Sequence, residues 1–285
     1  MSEHDGLEDH DLGLAHDLPE LLNRRRALGL LSAAGLAAAL SACGLDRFRD
    51  PVEPEVPIST GPPPGDAMDG GPSTKAGEGE IPSETNRPFP ADGSDGRNIL
   101  RQSGIVRRDI TKSFGGATAV AAGVPMTITL TLLNRQNGKS KPYHGAALYL
   151  WQCDAKGRYS MYHPHLAHQN YLRGLQVADR RGRVTFESIF PAAYGGRWPH
   201  LHIEVYESEK SATKTEGKLR TSQIALPERA CRDVYATSAY ALSRPNLAQT
   251  TMQSDPVFRD GVEQQMAKVT GSVKDGFQIS LDVAV

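Results

Sequence analysis

The sequence has three cysteines, Cys43, Cys153 and Cys231, and no Cys-x-x-Cys pair, which excludes a zinc ribbon or a thioredoxin-like site on spacing alone. An excess of one charge is missing as well. Lys and Arg number 32 against 33 Asp and Glu, so there is no broad basic field, and nucleic acid is not expected as a partner. No apolar run reaches the roughly 20 residues of a membrane-spanning helix. Internal repeats are also absent.

The first 43 residues read as an address. Asn23-Arg24-Arg25-Arg26-Ala27-Leu28-Gly29 gives a charged segment, and the small and apolar residues that follow run only to Ala42. The adjacent arginines suggest twin-arginine export, and Leu40-Ser41-Ala42-Cys43 resembles a bacterial lipobox in which the cysteine is acylated. Residues 1–43 are therefore expected to be a signal peptide, with Cys43 anchoring an exported protein to the outer face of a bacterial membrane. Residues 44–98 are crowded with Pro, Gly, Ser and acidic side chains, including Gly61-Pro62-Pro63-Pro64-Gly65, and have no hydrophobic period. A disordered linker is expected there.

From residue 99 to 285 the pattern changes to short runs of period two bounded by turn residues. Met126, Ile128, Leu130 and Leu132 alternate with threonines, and further strands are expected over 145–151, 183–189, 199–206, 221–226 and 277–283. Helix is expected only over 228–242 and from Asp255-Pro256 onward. These elements predict an all-β domain, an antiparallel β-sandwich with few short helices, preceded by a disordered N-terminal region.

In Pro199-His200-Leu201-His202-Ile203-Glu204-Val205, alternate side chains share one side of a strand. Leu201, Ile203 and Val205 then face a core, and His200 and His202 project together at a spacing that suits one metal ion. Alone, an H-x-H strand is a weak signal. Tyrosines in two turn-like contexts strengthen it: Tyr159 in Asp154-Ala155-Lys156-Gly157-Arg158-Tyr159-Ser160, and Tyr194 six residues before His200. A hard trivalent ion favours anionic oxygen and lowers a phenol pKa.

The stretch Trp151-Gln-Cys-Asp-Ala-x-Gly-x-Tyr-Ser, then Leu172-Arg173-Gly174, Asp179-x-x-Gly182, Phe186, Ile189-x-Pro191, Tyr194, Arg197 and His200-x-His202, resembles the intradiol ring-cleavage dioxygenases, the catechol and protocatechuate enzymes, especially their short exported branch. The resemblance implies a non-haem Fe(III) enzyme that cleaves catechol-type rings with O2 to muconate-type diacids. It implies Tyr159 and His200 in the plane of the iron and Tyr194 and His202 as the axial pair, with Tyr194 also a base. Arg197 would stabilise negative charge on the substrate, and Gln223 would hydrogen-bond near the substrate and that arginine.

Other readings of the same residues stay open. One is a non-catalytic exported lipoprotein whose β-sandwich binds an aromatic or carbohydrate ligand. Another is a copper or zinc site built from His200, His202 and Glu204. His163, His165 and His168 are either pocket-lining or solvated loop residues. Cys153 and Cys231 form either a disulfide or two buried thiols. Which catechol is taken, and the oligomeric state, are not legible in the sequence.

Overall fold

The computed structural model describes residues 76–214 and 217–285. The expected signal peptide, the lipid anchor at Cys43 and the linker as far as residue 75 lie outside the described residues.

Among the described residues nine strands form two sheets. They are β1 (Pro125–Gln136), β2 (Lys139–Pro142), β3 (Ala147–Trp151), β4 (Arg173–Val177), β5 (Arg183–Ile189), β6 (His200–Tyr206), β7 (Lys218–Ala225), β8 (Lys268–Ser272) and β9 (Gly276–Ala284). One sheet has the order β2-β1-β9-β8, with β5 also paired to β1. The other has the order β4-β3-β6-β7 and is antiparallel throughout. The all-β sandwich expected from the sequence is the observed fold, with one refinement: β1 and β9 pair in parallel, so the first sheet is mixed. Alternation in β1 does what period two dictates. Met126, Ile128, Leu130 and Leu132 are buried, while the threonines between them are half-buried.

β2, β4 and β8 carry no clear apolar alternation and were not expected as strands. Each is recruited by its neighbours: β2 by the hairpin at Asn137-Gly138, β4 by β3, and β8 by β9. The helix expected over 228–242 breaks into α2 (Glu228–Tyr235) and a 3-10 turn (Ser238–Tyr240), after α1 (Glu209–Ala212) and before α3 (Ser243–Ala248). The break fits two buried tyrosines anchored to one segment, the Tyr235 hydroxyl donating to Pro191 O at 2.9 Å and that of Tyr240 to Phe190 O at 2.7 Å. At Asp255 the expected cap exists, with Oδ1 accepting from Val257 N at 2.8 Å and Phe258 N at 3.3 Å, yet only turns follow. Cys153 and Cys231 are free, buried thiols.

Residues 76–98 correct the linker expectation. They cross the face of the β4-β3-β6-β7 sheet as a strap, with Ile81 and Ala91 buried. Side chains rising from the sheet grip its backbone carbonyls. Tyr149 Oη donates to Pro90 O at 2.8 Å, Trp151 Nε1 to Pro88 O at 3.2 Å, Arg173 Nη1 to Phe89 O at 2.8 Å, and Gln223 Nε2 to Thr85 O at 3.1 Å. Main-chain acceptors are present whatever the side chains, so composition gave no sign of this order. Asp92 adds an ion pair to Lys218 at 2.5 Å, and Lys218 reaches Glu204 at 2.8 Å.

Gly182 is fixed by both conformation and space. The Gly182 carbonyl, on a residue at φ 76°, accepts from Leu132 N at 2.7 Å, and a Cβ there would lie 2.3 Å from Leu132 O. Gly182→Ala is therefore expected to destabilise the fold by about 1–3 kcal/mol, read as a lower denaturant midpoint at unchanged slope.

Candidate metal centre

β6 is buried along both faces. Leu201, Ile203 and Val205 enter the core, and the face bearing His200 and His202 is covered by the strap and by the loops that carry the tyrosines. Those loops are built locally. After β3, Asp154 Oδ1 accepts from Lys156 N at 2.9 Å and Arg158 N at 3.0 Å, and Oδ2 takes the Arg158 guanidinium and the Tyr171 hydroxyl. This turn, with Gly157 at φ 77°, delivers Tyr159 inward. The Tyr159 amide donates to His163 Nδ1 at 3.0 Å, so His163 braces the loop, while His165 and His168 are exposed. The second loop is held by α3: Ser243 Oγ accepts from Ala193 N at 3.1 Å, and Asn246 Nδ2 donates to Ala193 O at 3.1 Å.

The two loops and the strand bring all four expected ligands together. Tyr159 Oη lies 3.1 Å from Tyr194 Oη and 3.2 Å from His202 Nε2; Tyr194 Oη lies 3.1 Å from His200 Nε2; and the two Nε2 atoms are 3.0 Å apart. None of the four residues is more than 3% exposed. Four donor atoms close a ring whose edges match the spacing of ligands about 2 Å from a shared ion.

The donor chemistry fits a hard cation. His200 Nδ1 faces Trp198 O at 2.5 Å, which puts the proton on Nδ1 and leaves a lone pair on Nε2. His202 stacks on Trp151 at 4.7 Å and 8°, and its Nδ1 is buried with no hydrogen-bond partner among the described residues. Burial, with the Arg197 charge added, holds both imidazoles well below their ordinary pKa. Burial also raises both phenols, though the Arg197 charge pulls Tyr194 the other way. Two neutral imidazoles and two neutral phenols thus converge, and a trivalent ion would invert the balance by stabilising phenolates.

Arg197, 2% exposed, pairs through Nε with Asp255 Oδ2 at 3.0 Å, and its Nη2 donates to Gln223 Oε1 at 2.5 Å. Gln223 is the register partner of His202. The expected arginine and glutamine therefore sit beside the donors and touch each other. Glu204 does not join the histidines: Lys218 occupies Oε1, and the Tyr206 hydroxyl donates to Oε2 at 2.6 Å. Burial and the neighbouring Asp92 push its carboxyl up to about 8. The copper or zinc grouping with Glu204 thereby loses its third ligand.

Sequence reasoning missed Trp151 as the platform for His202, the strap that seals the site, and Asp255 as the counter-charge of Arg197. Asp255 is legible as a cap, but nothing in its neighbourhood signals a partner 58 residues away.

Comparisons with known proteins place the chain among dioxygenase-like sequences and folds. A dioxygenase family model matches residues 103–210, which include Tyr159, Tyr194, Arg197, His200 and His202. Catechol 1,2-dioxygenase of Candida albicans is 30% identical over 80 residues, 28% of this chain, and the match spans only about a quarter (26%) of that relative. The fold is similar to that of an intradiol ring-cleavage dioxygenase from Tetranychus urticae, with a TM-score of 0.52 at 24% identity over 66% of this chain and 90% of that one. Residues 103–210 thus match a dioxygenase family model, and the chain shares the fold of an intradiol ring-cleavage dioxygenase.

Proposed function

We propose that the protein is a non-haem Fe(III) dioxygenase that opens catechol-type rings between the two hydroxyls with O2, giving muconate-type diacids. The observation that carries this reading is the buried ring of two phenol oxygens and two imidazole nitrogens with edges of 3.0–3.2 Å. Tyr159, Tyr194, His200 and His202 would hold the iron. When bound, a ferric ion supplies Lewis-acid activation of the coordinated ring toward O2.

The chain's own residues do the rest. Tyr194 Oη, between His200 and Tyr159, is placed to take a substrate hydroxyl proton, and the Arg197 charge beside it favours the anionic form before that transfer. Arg197, fixed on both sides, presents a positive charge where negative charge develops on the ring, and its low exposure makes that charge more effective than in water. The strap keeps bulk water from the donors. Export and acylation at Cys43 complete the proposal and would be checked by labelled-lipid incorporation that is lost in Cys43→Ala.

The test is iron content, the visible spectrum and O2 uptake with a panel of catechols, using a chain that includes residues 76–98. A tyrosinate-to-iron band and oxygen consumption are expected, and Tyr194→Phe should weaken the colour and abolish turnover. A colourless protein that binds aromatics equally well with and without Tyr194 would instead support the non-catalytic binding reading.

Proton balance gives a further check. Both phenols are held protonated at neutral pH and both imidazoles are already neutral, so loading should expel two phenol protons and none from the histidines. Apparent ferric affinity should therefore rise by about a hundredfold per pH unit around neutrality, once the competing chelator's own protonation is subtracted. A pH-independent affinity would mean that the phenols do not bind as phenolates.

A further inference from the structure

The turn over residues 255–258 lies far along the chain from the H-x-H strand, yet it meets the site twice. The Asp255 carboxylate is fully buried and divides its work. Oδ1 accepts from Val257 N and Phe258 N and so shapes its own turn. Oδ2 accepts from Arg197 Nε at 3.0 Å and from Trp198 N at 2.6 Å. The Trp198 carbonyl in turn accepts from His200 Nδ1, and the Phe258 ring lies 6.5 Å from the His200 ring at 63°. One carboxylate oxygen therefore holds the guanidinium directly and reaches the imidazole through a single residue.

We infer that Asp255 is a positioning residue of the proposed dioxygenase: it aims the Arg197 guanidinium and, through the Trp198 main chain and the Phe258 ring, fixes the plane in which His200 offers Nε2. The inference rests on the dioxygenase reading. A guanidinium has five donors and several rotamers. Gln223 alone anchors one nitrogen and leaves rotation about that contact, and the bond from Nε to Asp255 removes it. Metal-binding imidazoles are commonly oriented by the group on their other nitrogen. Here that group is the Trp198 carbonyl, and Asp255 secures the amide of the same residue.

The test compares wild type, Asp255→Asn, Arg197→Gln and the double variant, each with residues 76–98 present. Ferric affinity is measured by chelator competition, and turnover is expressed per bound iron. Asp255→Asn keeps an oxygen for the turn but loses the charge, so ferric affinity is expected to fall by about tenfold or more and kcat per iron by a similar factor, with a smaller change in KM. Should that variant not fold because Arg197 is left buried and unpaired, the double variant removes the unpaired charge. It is expected to bind ferric ion more weakly than Arg197→Gln alone, while the two share one kcat per iron, because Asp255 acts on turnover through Arg197. Wild-type affinity and kcat per iron in Asp255→Asn, with only a lower melting temperature, would overturn the inference and leave the dioxygenase reading standing. The same holds if the double variant matches Arg197→Gln in affinity. A wild type that binds ferric ion but consumes no O2 with any catechol would sink the dioxygenase reading, while the affinity series still decides the effect on His200. A wild type that binds no metal would take both down.

Discussion

Tyr159→Phe is expected to fold normally and yet bind ferric ion at least about a hundredfold more weakly, with the visible band and O2 uptake lost. The change removes a single oxygen. Packing survives, because the Tyr159 ring keeps its neighbours Phe89 at 5.2 Å and Tyr194 at 6.2 Å. What goes is one of the two phenol oxygens proposed to meet the trivalent charge. Water is a poor replacement at a side chain that is fully buried. A hundredfold loss corresponds to about 2.7 kcal/mol, modest beside the cost of leaving charge uncompensated in a dry site. Tyr194→Phe should behave differently in degree: Tyr194 is the phenol on which the Arg197 charge acts strongly, and its proposed second role is to leave with a proton. Turnover should suffer there more than iron retention. Equal iron binding in wild type and Tyr159→Phe, by metal analysis after gel filtration, would remove Tyr159 from the ligand set.

Removing the strap should have the other large effect. A chain starting at Ile99 is expected to lose at least about 3 kcal/mol of stability and to show red-shifted tryptophan fluorescence. Ile81 leaves a fully buried position, worth roughly 2–3 kcal/mol. Loss of Asp92 takes one carboxylate from Lys218, which is left to Glu204 alone in a mostly buried setting. The freed donors of Tyr149, Trp151, Arg173 and Gln223 regain water when the strap departs, so their bonds add little to the energy. They matter for position. Gln223 holds the strap with Nε2 and Arg197 with Oε1, so releasing one end frees the other. Trp151, which carries His202, becomes wet. Urea unfolding of the two chains side by side checks this, and coincident midpoints would mean that residues 76–98 merely lie on the surface.

Much of the sandwich was legible because its strands obey period two: Met126 to Leu132 alternate strictly, and in β6 the apolar Leu201, Ile203 and Val205 interleave with histidines. The weakly patterned β2, β4 and β8 were not, since their pairing is imposed by neighbours rather than by their own side chains. The same limit hid the strap. Its order depends on carbonyls, which every residue has, and on donors 59 to 138 positions away in the chain.

For this protein the sequence by itself determined the β class, the H-x-H face of β6, and, through ordered motifs, the identities of two tyrosines, an arginine and a glutamine worth watching. Side-chain periodicity and residue chemistry are local properties, so they survive in one dimension. Only the tertiary structure decided that four donor atoms close a ring with edges of 3.0–3.2 Å, that Glu204 turns to Lys218 instead of to the histidines, and that Asp255 faces Arg197. Those facts are distances between remote segments, set by how two sheets, two loops and a strap pack together, and no local pattern encodes them.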